Sequence, residues 1–336
     1  MIKNKIKVIF FTYKRAIFLD AALNTLIRKF KNISYPIVVI YHSHKDYKKS
    51  YNILKKKYKK KIFFYERKKQ NILSKFFLFL NPINIFFLLR RPSIIKDWNN
   101  FKDIFEHILE KTKNDYVMLC PDDIFFFKKI NITKNILKVV DKEPEKYFIR
   151  LSYGKNLKQN FSNKVKIKNH IIDNKSFFEW SYKDVPLNKN LNKKTKSSMT
   201  YNFHLDAGIY NRKSLLKLVS KAIYHNPVTL ESHTVKMAKL YNFFEKTLSP
   251  NERVSTTYQL NTVQNDNLYR HNLRIHTDSK LLDAFYQKGY NLIHKISPKI
   301  LKNENNVYPK EVYLLNNKKK IFNLKKIIKG LKKDNL

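Results

Sequence analysis

The run Ile37-Val38-Val39-Ile40-Tyr41 is almost unbroken in its apolar character. A strand with one wet face alternates polar and apolar side chains. This run therefore reads as a strand covered on both faces, the usual condition of a parallel sheet. Ile6-Lys7-Val8-Ile9-Phe10-Phe11, Ile62-Phe63-Phe64-Tyr65 and Tyr116-Val117-Met118-Leu119 are further β-rich runs. Between them apolar residues recur at helical spacing, first Phe18/Leu19, Ala22/Leu23, Leu26/Ile27 and Phe30, later Trp98, Phe101, Ile104/Phe105 and Ile108/Leu109. A Lys- and Tyr-rich helix is expected from about 47 to 58. The order βαβαβ…αβ predicts an α/β domain with a mostly parallel sheet. Ligands of such sheets sit beyond the carboxyl ends of the strands, so the residues that follow each strand matter most.

Composition narrows the classes. A chain of 336 residues, 43% hydrophobic, can bury a sizeable core and is not disordered throughout. Four glycines and one cysteine exclude a collagen, a disulfide scaffold, a Cys-ligated zinc domain and a Gly-rich dinucleotide fingerprint. The lone Cys120 fits a reducing compartment. Lys and Arg total 69 against 26 Asp and Glu, a net charge of +43. AT-rich codon usage favours Lys over Arg but does not explain its excess over Glu. The positive field favours nucleic acid, anionic lipid or a phosphorylated substrate.

Three strand ends carry chemistry. The first is followed by Thr12-Tyr13-Lys14-Arg15: a hydroxyl, a ring that can stack on a base and a guanidinium that can pair with phosphate. The second is followed by His42-Ser43-His44-Lys45-Asp46, whose acid can accept from a nucleoside. The fourth is followed by Cys120-Pro121-Asp122-Asp123, between Tyr-Val-Met-Leu and Ile-Phe-Phe-Phe. Adjacent carboxylates at a buried strand end repel each other, and a hard divalent cation, Mg²⁺ or Mn²⁺, removes that penalty. A solvated turn or helix cap is the plainer alternative, but turns of that kind are less common between two apolar runs.

In order and spacing, residues 6 to 127 resemble GT-A glycosyltransferases of the family-2-like kind. The resemblance implies a nucleotide-diphospho-sugar transferase fold with a mostly parallel central sheet. It maps Thr12, Tyr13, Arg15 and Asp46 to nucleotide contacts, and Asp122 and Asp123 to the motif that holds a metal on the donor diphosphate. Pro-Asp-Asp departs from a spaced Asp-x-Asp, and Asp123 takes the place of its second acid. On this reading residues 1–250 form the catalytic domain, with an irregular insertion at about 154–200. Residues 251–336 form a C-terminal extension ending in a basic amphipathic helix.

The second half is read through His204-Leu205-Asp206-Ala207-Gly208-Ile209-Tyr210, similar to the Asp-Gly segment on the acceptor side of those enzymes. Asn226-Pro227-Val228-Thr229-Leu230-Glu231 and Asn261-Thr262-Val263-Gln264 resemble signatures of bacterial surface-glycan transferases. An inverting transfer needs a carboxylate to take the acceptor proton, and Asp206 and Glu231 are the candidates. A cap or first-turn acid is the plain reading of each. His204 is a candidate substrate residue, as a further metal or phosphate ligand, though a lone His is more often structural.

Two stretches admit a membrane-surface reading beside a plainer one. Phe76 to Leu89 is apolar but interrupted by Asn81, Pro82 and Asn84, and it is too short to span a bilayer. It reads first as buried core, or, flanked by Lys75, Arg90 and Arg91, as a surface dip into a membrane. Lys318 to Lys333 reads as a basic amphipathic helix, either packed on the domain or lying on an anionic surface. The basic, briefly apolar N-terminus is not read as a signal peptide. The expected partners are a nucleotide-sugar donor, a glycan or lipid-linked acceptor and an anionic membrane surface. The expected location is cytoplasmic and peripheral on the inner face. The rival is a basic nucleic-acid-binding protein without activity, for which no zinc module, recognition helix or RNP-like strand is present.

Overall fold

A computed structural model describes residues 5–42, 44–70, 82–90, 93–155, 166–185, 198–260, 278–296, 301, 311–318 and 320–324. The chain begins β1 (Ile6–Tyr13), α1 (Ala16–Lys29), β2 (Ile33–His42), α2 (Lys48–Tyr58), β3 (Ile62–Glu66), α3 (Pro82–Arg90), α4 (Ser93–Lys96), α5 (Phe101–Lys111), β4 (Tyr116–Pro121) and β5 (Ile124–Phe126). It continues α6 (Lys134–Asp141), β6 (Tyr147–Arg150), β7 (Lys168–Ile172), β8 (Lys175–Ser181), β9 (Gly208–Asn211), α7 (Arg212–Val219) and α8 (Pro227–Leu240). Last come β10 (Lys246–Pro250), β11 (Ser255–Thr257), α9 (Ser279–Gln287), β12 (Asn291–Ile293), β13 (Tyr313–Leu315) and β14 (Ile321–Asn323).

Nine strands form one sheet in the order β3-β2-β1-β4-β9-β6-β10-β8-β7. Strands β3, β2, β1 and β4 are parallel neighbours. Strand β9 runs against both β4 and β6, and β8 against both β10 and β7. With β6 and β10 parallel, only β9 and β8 oppose the rest. This is the α/β class with a mostly parallel sheet that the sequence predicts.

Burial explains the apolar runs. Ile6, Val8, Phe10, Ile37, Val39 and Met118 point into one layer with α1, α2 and α9. Their alternates Ile9, Phe11, Val38, Ile40, Val117 and Leu119 point into the other, with α5, α7 and α8. Both sets are out of water, so period-2 polarity has no place in β1, β2 or β4. The first polar residues available to a ligand are those beyond the carboxyl ends.

Three expectations are corrected. Residues 154–200 are not wholly irregular: β7 and β8 form a hairpin that extends the sheet edge. Its turn, Asp173-Asn174, has φ of 50° and 57°, the left-handed pair of a tight hairpin turn. Phe178 and Trp180 pack with Tyr153 and Met199 in a small separate core. The second correction concerns 321–323, the start of the expected C-terminal helix, which is instead strand β14 paired with β13. Residues 325–333 lie outside the described residues. Third, Pro82 and Asn84 do not interrupt the apolar segment but open α3, and Asn84 Nδ2 donates to the Lys221 carbonyl at 3.4 Å. Residues 76–81 lie outside the described residues.

The chain beyond residue 250 shares the core of the first half. Strand β11 pairs with β5, and Leu282, Phe285, Leu292 and Leu314 pack in the layer of α1. The Tyr286 hydroxyl donates to Asp20 Oδ2 at 3.1 Å. Among the described residues no helix is long and apolar enough to cross a membrane.

Candidate active site

The parallel register sets Phe11 against Pro121, so Thr12 and Asp122 emerge side by side from β1 and β4. Thr12 Oγ1 donates to Asp122 Oδ2 at 2.7 Å and lies 3.0 Å from the Tyr51 hydroxyl. Lys14 takes a left-handed φ of 56° at the turn into α1. Arg15, the next residue, points back across the strand ends. Its Nε donates to Asp122 Oδ2 at 3.2 Å, one terminal nitrogen pairs with Asp122 Oδ1, and the other reaches Asp123 Oδ2 at 3.2 Å. Thr12, Asp122 and Asp123 are buried.

The two partners respond differently to burial. At Asp122 desolvation outweighs the facing Arg15 charge and pushes the carboxyl up to about 6. At Arg15 desolvation is outweighed by Asp122 and Asp123, which hold the guanidinium above its ordinary value. With both oxygens of Asp122 on one guanidinium, the ionised pair is the state the geometry describes.

Beside this cluster Tyr13 stacks on His42 with ring centroids 5.3 Å apart, and the Arg67 guanidinium lies 5.9 Å from the Tyr13 ring. Asp46 does not join it. It is exposed on a single 3₁₀ turn before α2, with Oδ2 3.2 Å from His44 Nδ1.

A second cluster forms at the turn into β9. Ala207 N donates to the Leu119 carbonyl at 3.0 Å, and Leu151 N to the Ala207 carbonyl at 3.3 Å. These bonds pin Asp206-Ala207 between the ends of β4 and β6. A Cβ at Gly208 would lie 2.5 Å from the His204 carbonyl oxygen and 2.6 Å from the Tyr210 hydroxyl. That hydroxyl accepts from His204 N at 2.7 Å and donates to the His204 carbonyl at 2.8 Å.

Glu231 arrives on α8, whose start is set by Asn226 and Thr229 in a capping box with Pro227 in the first turn. Its Oε1 accepts from Leu205 N at 3.3 Å and lies 3.4 Å from His204 Nδ1. Asp206 Oδ2 is 3.9 Å from the same nitrogen.

The second cluster is short of charge compensation. Desolvation, then Glu231 and Asp123, push the Asp206 carboxyl from 3.8 up to about 8. Desolvation also raises Glu231. Burial and the Arg150 charge hold His204 well below its ordinary value, so its ring is neutral at pH 7. Among the described residues neither ring nitrogen of His204 has a hydrogen-bond partner. Arg150, buried at the end of β6, faces Asp206 and Glu231 electrostatically and lies over the Tyr153 ring at 5.0 Å. Burial raises both acids, and the charge of Glu231 adds to the rise at Asp206.

Arg15 takes both carboxylate oxygens of Asp122 and Oδ2 of Asp123, and Thr12 also donates to Asp122, so the divalent cation expected here would have to compete with the guanidinium. Among the described residues no group of three or more metal-ligating side chains is placed to hold an ion. The counter-charge to the aspartate pair is a guanidinium.

The structure thus brings together Thr12, Arg15, Asp122 and Asp123, and separately His204, Asp206 and Glu231. The charge of Asp123 reaches Asp206 and helps to raise its carboxyl. Arg67 and Arg150 stand at ends of β3 and β6 that sequence reasoning did not inspect. The signal was available, since Tyr147-Phe148-Ile149-Arg150 closes an apolar run on an arginine and in Phe64-Tyr65-Glu66-Arg67 an arginine follows one residue later. His233 is structural: its ring stacks on Phe87 at 3.9 Å and Nδ1 pairs with the Ile223 carbonyl. Asn261–Gln264 and His271 lie outside the described residues.

No protein-family model and no curated protein sequence matches the chain. Among solved structures it is similar to residues 1–349 of TarS from S. aureus, with 15% identity, a TM-score of 0.39, and coverage of 75% of this chain and 59% of that one. It is also similar to 4-diphosphocytidyl-2C-methyl-D-erythritol synthase from Anaerococcus prevotii, with 11% identity, a TM-score of 0.37 and coverage of 85% and 97%. Mouse xyloside xylosyltransferase 1 matches with 12% identity, a TM-score of 0.31 and coverage of 71% and 77%. The chain spans 59% of the TarS chain it matches, and these likenesses concern overall architecture.

Proposed function

We propose that the chain is a glycosyltransferase, moving a sugar from a nucleotide-sugar donor to a hydroxyl of a cell-surface glycan or lipid-linked acceptor. One observation supports this above others. A donor-type cluster (Thr12, Arg15, Asp122, Asp123) adjoins a base-type cluster (His204, Asp206, Glu231) at the carboxyl ends of one mostly parallel sheet. Thr12, Tyr13 and Arg15 form the donor side on this reading, with Asp46 at its rim. Arg67, which meets no carboxylate among the described residues, offers positive charge to a leaving diphosphate.

In the reaction the acceptor oxygen attacks the anomeric carbon as the bond from that carbon to the diphosphate oxygen breaks. The acceptor proton passes to Asp206 or Glu231, and the nucleoside diphosphate leaves. A carboxylate whose pKa lies near the operating pH suits that transfer. His204, kept neutral, adds no positive charge that would pull the base pKa down. The protein acts as a peripheral protein on the inner face of a membrane, where its acceptor is made.

The test is a panel of nucleotide diphosphates and their sugars against the full chain, read by thermal shift and donor turnover, with Mn²⁺ and with EDTA. Stabilisation by one nucleotide, and turnover lost in Asp206→Asn or Glu231→Gln with binding kept, is the expected result. Absence of any shift, together with tight, salt-sensitive binding to single-stranded nucleic acid, would overturn the reading in favour of a nucleic-acid-binding protein.

A further inference from the structure

Helix α3 carries more apolar surface than its packing uses. Phe87 and Leu88 are buried, and Phe87 is locked against His233 of α8. The opposite face shows Leu89 at 76% exposure, Phe86 at 47% and Ile85 at 41%, and Leu240 at the end of α8 is 53% exposed. Between the two helices runs an open groove of about 530 Å³, walled by Phe86, Phe87, Met237 and Leu240 with Arg90 and Lys236 at its edge. A contiguous exposed apolar surface of this kind marks an interaction site.

The charged residues that line it, Arg90 and Lys236, are both cationic. The Arg90 guanidinium lies 4.1 Å from the Phe86 ring centroid, and the Lys236 ammonium 4.2 Å from that of Phe87. Lys221 lies 4.9 Å over Tyr241, beside Leu240. Helices α3 and α4 contain no acid, and the only acid of α8 is Glu231, which faces the buried cluster. Cations laid flat on aromatic rings around an apolar strip keep their stems in an apolar medium and their heads at a polar boundary. That is the composition of an interfacial anchor for anionic lipid. A protein partner with an apolar ridge would fill the groove but has no need of the cations at its edge.

We infer that the exposed face of α3, with the groove it forms against α8, docks on an anionic bilayer surface. This rests on the peripheral-membrane part of the reading above and assigns it a surface. Helix α8 then links the membrane to the chemistry. Glu231 and Leu240 are nine residues apart, about 14 Å along a helix axis at 1.5 Å per residue, so the base cluster stands a fixed distance from the lipid headgroups. An acceptor hydroxyl held close to a lipid surface lies within that range.

The experiment is vesicle flotation of the full chain with phosphatidylglycerol-containing and with neutral phosphatidylcholine vesicles, at low and high salt. The native chain is expected to bind the anionic vesicles at least tenfold more tightly, with the difference shrinking in salt. Phe86→Asp with Leu89→Asp should lose at least tenfold of that binding at unchanged melting temperature. A separate variant, Leu89→Trp, should show a blue-shifted emission quenched by brominated lipid. Native-like binding by the double-aspartate variant, or an introduced indole that brominated lipid fails to quench, overturns the docking surface alone. No vesicle binding by the native chain overturns it together with the membrane reading, and a native dimer that the double variant dissociates overturns the docking surface alone. Donor turnover, measured in parallel without vesicles, reports on the transferase reading separately.

Discussion

Arg15 holds Asp122 through both carboxylate oxygens, from a turn that leaves β1 to a turn that leaves β4. The contact joins residues 107 positions apart and is largely out of water. Removing one partner of a buried pair leaves an uncompensated charge, at about 3–5 kcal/mol. Arg15→Ala is therefore expected to be strongly destabilised, and Arg15→Ala with Asp122→Asn to recover much of the loss. Removing the guanidinium also frees the oxygens that a cation needs. Mn²⁺ should raise the melting temperature of Arg15→Ala and leave that of the native chain almost unchanged. Equal Mn²⁺ responses in the two proteins would contradict the view that Arg15 supplies the counter-charge.

Asp206 makes stability depend on pH in a particular direction. Its carboxyl ionises at about 8 in the folded chain against an ordinary 3.8. Between those values the folded state holds a proton that the unfolded state has released, so this residue's contribution to stability is full below about 4 and is lost as pH rises through about 8. The difference in melting temperature between Asp206→Asn and the native chain should therefore grow in the variant's favour from pH 5 to pH 8.5. The facing groups are Glu231, Asp123 and Arg150, and Glu231→Gln should lower the pH at which the difference levels off. A difference that does not change with pH would mean that Asp206 ionises in the ordinary carboxylate range.

Gly208 tests the rigidity of the same turn. A methyl there meets a backbone carbonyl and the hydroxyl that bridges His204 N and O. Backbone yields little, so Gly208→Ala should cost about 1–3 kcal/mol as an overpacked site. Tyr210→Phe removes the bridging hydroxyl. Combined with Gly208→Ala it should cost less than the sum of the two single changes, a coupling that a double-mutant cycle in urea measures. Strict additivity would separate the glycine from the bridge.

The parts of this fold legible in sequence are those where burial writes a local pattern. Ile37–Tyr41 and Tyr116–Leu119 are apolar on successive residues because both faces are covered, and the polar residues just beyond them had to be ligand-facing or capping. Strand β7, Lys168-Asn169-His170-Ile171-Ile172, is a sheet-edge strand, mostly exposed or half-buried, and carries no such pattern. Ile321-Phe322-Asn323 fits a helical period locally, but its conformation is set by Tyr313–Leu315, a partner that periodicity cannot see. The same holds for the site. The Asp-Asp pair was visible as a motif, whereas its satisfaction by Arg15 depends on a turn at Lys14 that brings the guanidinium back across the strand ends.

Arg67 separates a role in folding from a role in binding. Burial pulls its guanidinium down to about 10, and among the described residues it meets no carboxylate; it faces the Tyr51 hydroxyl and the rings of Tyr13 at 5.9 Å and Phe101 at 5.6 Å. A half-buried cation with no anion is a cost to the folded chain and an asset to an incoming diphosphate. Arg67→Met keeps an apolar stem against both rings and removes the charge. Without ligand its melting temperature should equal or exceed that of the native chain, the reverse of Arg15→Ala. Affinity for the nucleoside diphosphate should fall about tenfold, equivalent to ~1.4 kcal/mol, by titration calorimetry. Stability and binding moving in opposite directions is the signature of a residue kept for its ligand. A variant that loses stability while keeping full affinity would return Arg67 to the framework of the fold.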